Sequence, residues 1–301
     1  MSKFKSWISA CRLRTLPLSV SGVIVGASLA YSRGVFDSAV CVLTIFTTLS
    51  LQILSNLAND YGDGIKGTDN EHRIGPERAL QSGIISPKEM RNAIIFNVVI
   101  CFILVLSLIY HAFGQDQFFS SLVFVVLGIL AIVAAIKYTV GGSAYGYKAL
   151  GDLMVFLFFG WLSVLGTYFL YSNQINFSMF LPASSIGFLS AAVLNLNNMR
   201  DFESDKLSNK HTLAGLLGLN NSRYYHLALI LIAMLLMLLY FGLSSEYLLM
   251  MIMMIGFIPL FIHMFIFYKV QTPENYDPQL KILALSTFLV ALIFGTIHVL
   301  I

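Results

Sequence analysis

The chain is a succession of apolar runs of about 18–22 residues separated by short polar segments, each run long enough to cross a hydrocarbon core of roughly 30 Å. Within lipid every backbone N–H and C=O must be satisfied inside the segment, so runs of this kind are helices. Their alternation with turn signals does not suggest a barrel. Only 11% of residues are charged, against roughly a quarter in a soluble domain, and those charges sit in a few clusters. The sequence therefore predicts an all-α, polytopic membrane protein in contact with the lipid bilayer. A net charge of +3 is too small to point to nucleic acid. Three scattered cysteines, Cys11, Cys41 and Cys101, show no metal or redox spacing and read as packed thiols.

About nine spans are predicted, near 16–32, 38–58, 92–112, 118–138, 150–171, 178–196, 224–243, 246–268 and 280–300. They form one transmembrane domain over residues 1–301. Residues 1–15, with Trp7 among Lys3, Lys5, Arg12 and Arg14, read as an interfacial helix ending at Pro17. The first span has some features of a signal peptide, with Ser28-Leu29-Ala30 as a weak cleavage site. The spans that follow favour an uncleaved helix. With this layout every Lys and Arg except Arg33 falls on one side, which places the N-terminus in the cytoplasm and the C-terminus outside. The absence of a transit peptide favours a bacterial inner (cytoplasmic) membrane. Two connections, 59–91 and 197–223, are long and polar and are expected to cap the bundle on the cytoplasmic side.

Those two connections open with the same pattern. Span 2 runs into Asn59-Asp60-Tyr61-Gly62-Asp63, followed by Lys66 and Asp69; span 6 runs into Asn197-Asn198-Met199-Arg200-Asp201, followed by Asp205. Both read Asn-x-x-x-Asp, which puts the two polar side chains on one helical face, a turn apart. Asp205 extends the second row by another turn, whereas the equivalent first-row position is Gly67, with Asp69 just beyond. Spans 2 and 6 run in the same direction, so the motifs can face each other across a bundle. Aspartates at a helix C-terminus oppose its dipole, an arrangement that makes sense if cations fill the gap. Carboxylates and Asn carbonyls are hard ligands suited to Mg²⁺, whose shell is typically completed by waters and a substrate phosphate. Asn59, Asp63, Asn197, Asp201 and Asp205 are the candidate metal ligands. Lys66, Arg73, Arg78, Lys148, Arg200 and Lys210 are candidates to balance a diphosphate.

The alternative is that these are ordinary solvated helix ends, a reading that repetition on one side argues against. A transporter would place acidic residues near the bilayer midplane, and the span interiors carry none. The Asp-Gly-x-x-Ala-Arg signature of phosphatidyltransferases is absent. Asp152, at the start of span 5, suits a helix cap or a site role. Tyr138, Tyr145 and Tyr147 are either interfacial anchors or part of the site. His263 and His298 read as packed histidines, His111 as interfacial, and His72 and His211 lie in the two caps.

Seven short segments in order resemble the UbiA superfamily of intramembrane prenyltransferases, and in particular its branch acting on 1,4-dihydroxy-2-naphthoate. They are Arg14-Thr-Leu-Pro17, Leu51 to Asp69, Arg73-Ile-Gly-Pro76, Tyr138-Thr-Val-Gly141, Tyr145-Gly-Tyr-Lys148, Phe159-Gly-Trp-Leu-Ser163 and Leu194-Asn-Leu-Asn-Asn198. The resemblance implies nine helices around a central cavity, with cap helices from the two long connections. It implies that Asp60, Asp63, Asp201 and Asp205 are catalytic. It further implies Mg²⁺-dependent transfer from a polyprenyl diphosphate to the naphthoate with loss of CO₂ and diphosphate. In this branch Asp69 stands in for the missing ligand at Gly67, and Arg78 and Lys210 meet the diphosphate. Tyr138, Tyr145, Tyr147, Lys148 and Asn198 belong to substrate-binding segments. Arg12 either holds the acceptor carboxylate or anchors the interfacial helix. Within the superfamily, 4-hydroxybenzoate, homogentisate, haem or a tetrapyrrole are alternative acceptors.

Overall fold

A computed structural model gives the fold of residues 2–69, 74–75, 78–270 and 272–300. Two residues singled out from sequence, His72 and Arg73, lie outside the described residues. A short helix α1 (Lys3–Cys11) precedes α2 (Leu16–Ser32), α3 (Ser38–Ile65), α4 (Pro87–Phe113) and α5 (Phe118–Lys137). Then come α6 (Gly151–Ser172), α7 (Phe180–Arg200), the short α8 (Phe202–Leu207) and α9 (Leu213–Leu243). Helices α10 (Tyr247–Gly256), α11 (Ile258–Lys269) and α12 (Tyr276–Leu300) complete the chain. Among the described residues there is no strand, only an isolated bridge between Lys148 and His211. Eight described segments are long and apolar enough to cross a membrane, or nine when α10 and α11 count as one bent span. The chain is an all-helical polytopic membrane protein.

Several boundaries differ from the sequence reading, each for a local reason. Helix α1 stops at Cys11 because Arg12 adopts a left-handed conformation (φ 48°, ψ 57°). Pro17 does not end it but sits in the first turn of α2, where a missing N–H costs no hydrogen bond. Helix α3 continues through its Asn/Asp motif to Ile65 and α7 runs to Arg200, one residue short of Asp201, so both extend past the span ends expected near 58 and 196. The Asp63 carbonyl is satisfied beyond the helix by the Thr68 N–H at 2.9 Å. Helix α4 starts at Pro87 under a Ser86–Glu89 capping box. Helix α9 starts at a Thr212 cap and breaks at Gly218 (φ 75°, ψ 159°), a conformation that needs glycine. The long connections are therefore shorter than predicted. The second contains α8; the described residues between Ile65 and Pro87 form turns. The span predicted over 246–268 is two helices bent by 42°, with Pro259 in the first turn of α11, where it cannot donate to the preceding turn.

Two apolar cores flank the centre. One joins α2, α6, α7, α9, α11 and α12 around Ile186, Leu189, Phe241, Leu260 and Phe294; the other joins α1, α3, α4 and α5 around Leu54, Met90 and Cys101. Between them lies a cavity of about 370 Å³. Its α6 wall is built of pairs four residues apart: Met154/Val155, Phe158/Phe159, Leu162/Ser163 and Gly166/Thr167. In an α-helix such a stripe drifts by about 40° per step. Over Phe156–Gly166 the helix widens to the π form, and pairs four residues apart line the cavity throughout it.

The opposite face of α6 packs on α7 through glycine. A Cβ on Gly160 would stand 2.7 Å from both the Ala183 carbonyl oxygen and the Gly187 Cα, atoms of a backbone that has no room to give. Gly160→Leu is expected to cost at least about 1–3 kcal/mol by overpacking. Thermal unfolding of the detergent-solubilised protein checks this, and an unchanged midpoint contradicts the packing described.

Candidate active site

The end of α3 presents different side chains to different neighbours. Asn59, Asp63 and, one turn earlier, Asn56 face the cavity. Asp60, rotated by about 100° from Asn59, faces a smaller pocket lined by Arg12, Arg14 and Arg78. It pairs directly with Arg12, and with Arg78 Nε at 3.6 Å. Arg78 also reaches Asp69 Oδ1 at 3.9 Å. With its amide nitrogen turned toward Asp63, Asn59 donates to Asp63 Oδ2 at 2.6 Å and accepts from Arg12 Nη1 at 3.2 Å. The first motif is thus tied to the segment after α1 and to the connection between α3 and α4.

The connection between α5 and α6 covers Asp63 from above. Tyr147 donates its hydroxyl hydrogen to Asp63 Oδ1 at 2.7 Å, so the 2.6 Å contact with Thr68 must have Thr68 as donor. Gly146 permits this approach, because a Cβ there would lie 2.6 Å from the Tyr138 carbonyl oxygen. The same connection pairs with the segment between α8 and α9: the Ala149 N–H donates to the His211 carbonyl at 2.7 Å. That docking places Lys210 between the motifs, 3.5 Å from Asp63 Oδ2 and 3.4 Å from Asp205 Oδ1. Burial works against the Lys210 charge, but Asp63 and Asp205 outweigh it and hold its pKa well above the usual lysine value. Burial, together with Asp201 and Asp63, pushes Asp205 up to about 6 against the opposing pull of Lys210. At neutral pH the pair is charged. Lys66 stacks 3.9 Å over the Tyr147 ring, and burial lowers its pKa.

The second motif is organised by Arg200, which is fully buried. Its Nε and Nη2 grip both oxygens of Asp201 at 2.8 and 2.6 Å, and Nη2 also donates to Asn197 Oδ1 at 2.9 Å. Nη1 donates to Asp277 at 2.6 Å on the first turn of α12, and Asp277 in turn meets Arg14 at 3.5 Å. This bidentate fork is the geometry for which arginine is suited.

Most of the residues singled out from sequence converge. Asn59, Asp63, Asp69, Arg78, Tyr138, Tyr145, Asn197, Asp201, Asp205, Lys210 and Arg12 all line the cavity. Tyr147 joins them through Asp63. Burial pushes Tyr138 up to about 12, so its hydroxyl stays protonated. Lys148 is exposed and does not line the cavity, and Asn198 is buried away from it. Asp152 makes no capping hydrogen bond; it is buried and does not line the cavity. Sequence reasoning missed Thr68, Ser204 and Asp277. It also passed over Gln52 and Asn56, which the α3 period places on the Asn59 face.

The donor set consists of carboxylate and amide oxygens. Within the cavity lining, the buried Asp205 Oδ2 accepts no hydrogen bond from the described residues. Among the described residues no three acidic, His or Cys side chains enclose an ion by themselves. A hard cation shared with amide oxygens and a phosphate fits such a set; a closed structural metal site does not.

These features define an intramembrane enzyme whose charged head, at one end of the helices, opens on a long apolar cavity. Residues 19–286 match the UbiA prenyltransferase family, to which the chain belongs. It is 46% identical over 231 residues to a 1,4-dihydroxy-2-naphthoate octaprenyltransferase of Escherichia coli (strain K12), covering 77% of this chain and 74% of that one. A protein of the same name from Haemophilus influenzae is also 46% identical, over 234 residues (77% and 75%). In fold it is similar to a UbiA homolog from Archaeoglobus fulgidus bound to GPP and Mg²⁺ (TM-score 0.62, 16% identity, covering 98% of this chain and 100% of that chain). The structure of that homolog bound to DMAPP and Mg²⁺ aligns with a TM-score of 0.61 at 17% identity (96% and 99%).

Removing Arg200 would leave Asp201 buried against Asp277 with its fork gone. Arg200→Met is expected to lower stability by about 3–5 kcal/mol, with Arg200→Lys in between because a single ammonium cannot replace the fork. Thermal unfolding in detergent measures both, and a Met variant as stable as the parent contradicts the role given to Arg200.

Proposed function

We propose that the protein transfers a polyprenyl group from polyprenyl diphosphate to 1,4-dihydroxy-2-naphthoate, releasing diphosphate and CO₂. The observation that carries this reading is Lys210 bridging Asp63, which closes the first Asn-x-x-x-Asp motif, and Asp205, one turn beyond the second, at the head of a cavity that both motifs line. Relatives named for this reaction support the choice of acceptor.

In this reading Asn59, Asp63, Asn197, Asp201 and Asp205 hold Mg²⁺ together with the diphosphate. Bound there, Mg²⁺ supplies Lewis-acid stabilisation of the departing diphosphate. Lys210, Lys66 and Arg78 carry the remaining charge, and Arg73 is assigned to the same task from sequence. Tyr147 and Asn59 orient Asp63, and Arg200 orients Asp201. As the allylic C–O bond breaks, positive charge grows on the prenyl carbon, which the faces of Tyr138, Phe158 and Phe159 can stabilise while apolar walls exclude water. The naphthalene ring carbon forms the new C–C bond, and its carboxylate leaves as CO₂. Arg12, at the cavity edge, receives that carboxylate before reaction. The charged head faces the cytoplasm of a bacterial inner membrane, with the N-terminus inside, because the basic residues cluster there.

Asp63→Ala and Asp201→Ala are each expected to reduce transfer by at least about 10²–10³-fold while the protein still inserts and folds. Labelled prenyl diphosphate in detergent provides the assay, and retained turnover in either variant removes the two-motif mechanism. EDTA is expected to stop the reaction and excess Mg²⁺ to restore it. Mass analysis of products from a panel of naphthoate, 4-hydroxybenzoate and homogentisate tests the acceptor. Alkylation of another ring in preference to naphthoate overturns the assignment.

A further inference from the structure

We infer that Phe124 is the end wall of the cavity and sets how the protein ranks prenyl donors by chain length, an inference that rests on the prenyl-transfer reading above. The cavity tapers. At the charged head α2, α3, α5, α6, α7 and α12 all contribute lining residues, whereas the far end is enclosed by α3, α4, α5 and α6 alone. Along α3 the lining runs from Asn59 back to Thr44, a depth of about 22 Å at 1.5 Å per residue. Along α5 it runs from Tyr138 to Phe124, about 21 Å by the same rise. Each isoprene unit adds four skeletal bonds, on the order of 4.7 Å by the covalent geometry that lets three backbone bonds span ~3.5 Å. About four to five extended units therefore bring a chain to Phe124.

The wall changes character at that depth. From the head, the α5 face is small: Ala135, Ala134, Ala131 and Gly128, followed by Leu127 and then the Phe124 ring. That ring is held on two sides. It stacks on Phe169 of α6 at 5.5 Å, and Phe113 of α4 packs edge-on to Phe124 at 5.1 Å and to Phe169 at 6.2 Å. Phe113 is 3% exposed, so the cluster is anchored in the core at that end. Moving Phe124 aside requires repacking three helices. A short chain ends before the ring; a longer one must turn at it.

The test compares kcat/KM for geranyl, geranylgeranyl and octaprenyl diphosphate with the naphthoate acceptor in the purified protein. Phe124→Ala is expected to raise the octaprenyl-to-geranyl ratio, and Phe124→Trp to lower it by about fivefold or more with geranyl turnover within about twofold of the parent. Leu170→Phe narrows the same depth from α6 and is expected to act like Phe124→Trp. If Phe124→Trp also loses geranyl turnover, its packing is damaged and the ratio in Leu170→Phe and Phe124→Ala decides. Equal factors for all donors, or no change, in those variants overturn the inference. Failure of the parent protein to alkylate naphthoate with any donor strikes the transfer reading instead.

Discussion

Lys210 is the point on which the charged head depends. A lysine ammonium withdrawn from water is costly unless it is paired, and here it is paired twice, with a carboxylate from each half of the bundle. Asp63 comes from the end of α3 and Asp205 from the short α8, elements that share little other contact. The lysine reaches them because the connection before α6 pairs its backbone with His211, the next residue. One cation therefore sets the spacing of the two motifs, and three connections remote in sequence are fixed by it.

The two motifs are balanced by different means. Asp63 is held by neutral donors, Asn59 and Tyr147, plus Lys210, which leaves the carboxylate able to exchange one cation for another. Asp201 is gripped by a buried guanidinium that cannot lose its proton. Neutral donors thus dominate at the first motif and a charged fork at the second. Asp60 belongs to neither role. Turned away from the cavity toward Arg12 and Arg78, it positions those two cations at the rim.

Much of this was legible in the sequence because lipid leaves the chain few choices. Apolar runs had to be helices, and the i, i+4 spacing of Asn59 with Asp63 and Asn197 with Asp201 had to form a row. Helix ends were less legible. The sequence ends these two spans near 58 and 196, yet the helices run on to Ile65 and Arg200 because neighbouring side chains and backbone N–H groups satisfy the polar residues there. Partners that meet only through the tertiary fold left no local trace. Asp277 lies on the last helix and meets Arg200 in an ion pair only because the tertiary fold brings the two helices together. The rotation of Asp60 is implicit in the helical period, but its partners Arg12 and Arg78 come from other segments. Lys148 shares a motif with Tyr147, yet the turn that buries the tyrosine toward Asp63 sends the lysine to solvent.

The π segment of α6 shows how the two ends of the molecule divide their work. Polar side chains can be kept only where partners are dense, which confines them to the head, and the rest of the cavity must be shaped by apolar groups alone. Apolar shape comes from side-chain size and from helix period. Along α6 a widened helix presents paired lining residues to the cavity over four successive turns. Along α5 the change from alanine and glycine to phenylalanine supplies the size. A straight, narrowing cavity results, with its charge at one end and a packed aromatic cluster at the other. Chemistry at the head is thereby separated from selection along the length, so a substitution at the far end can alter which chain is held without touching a charged group.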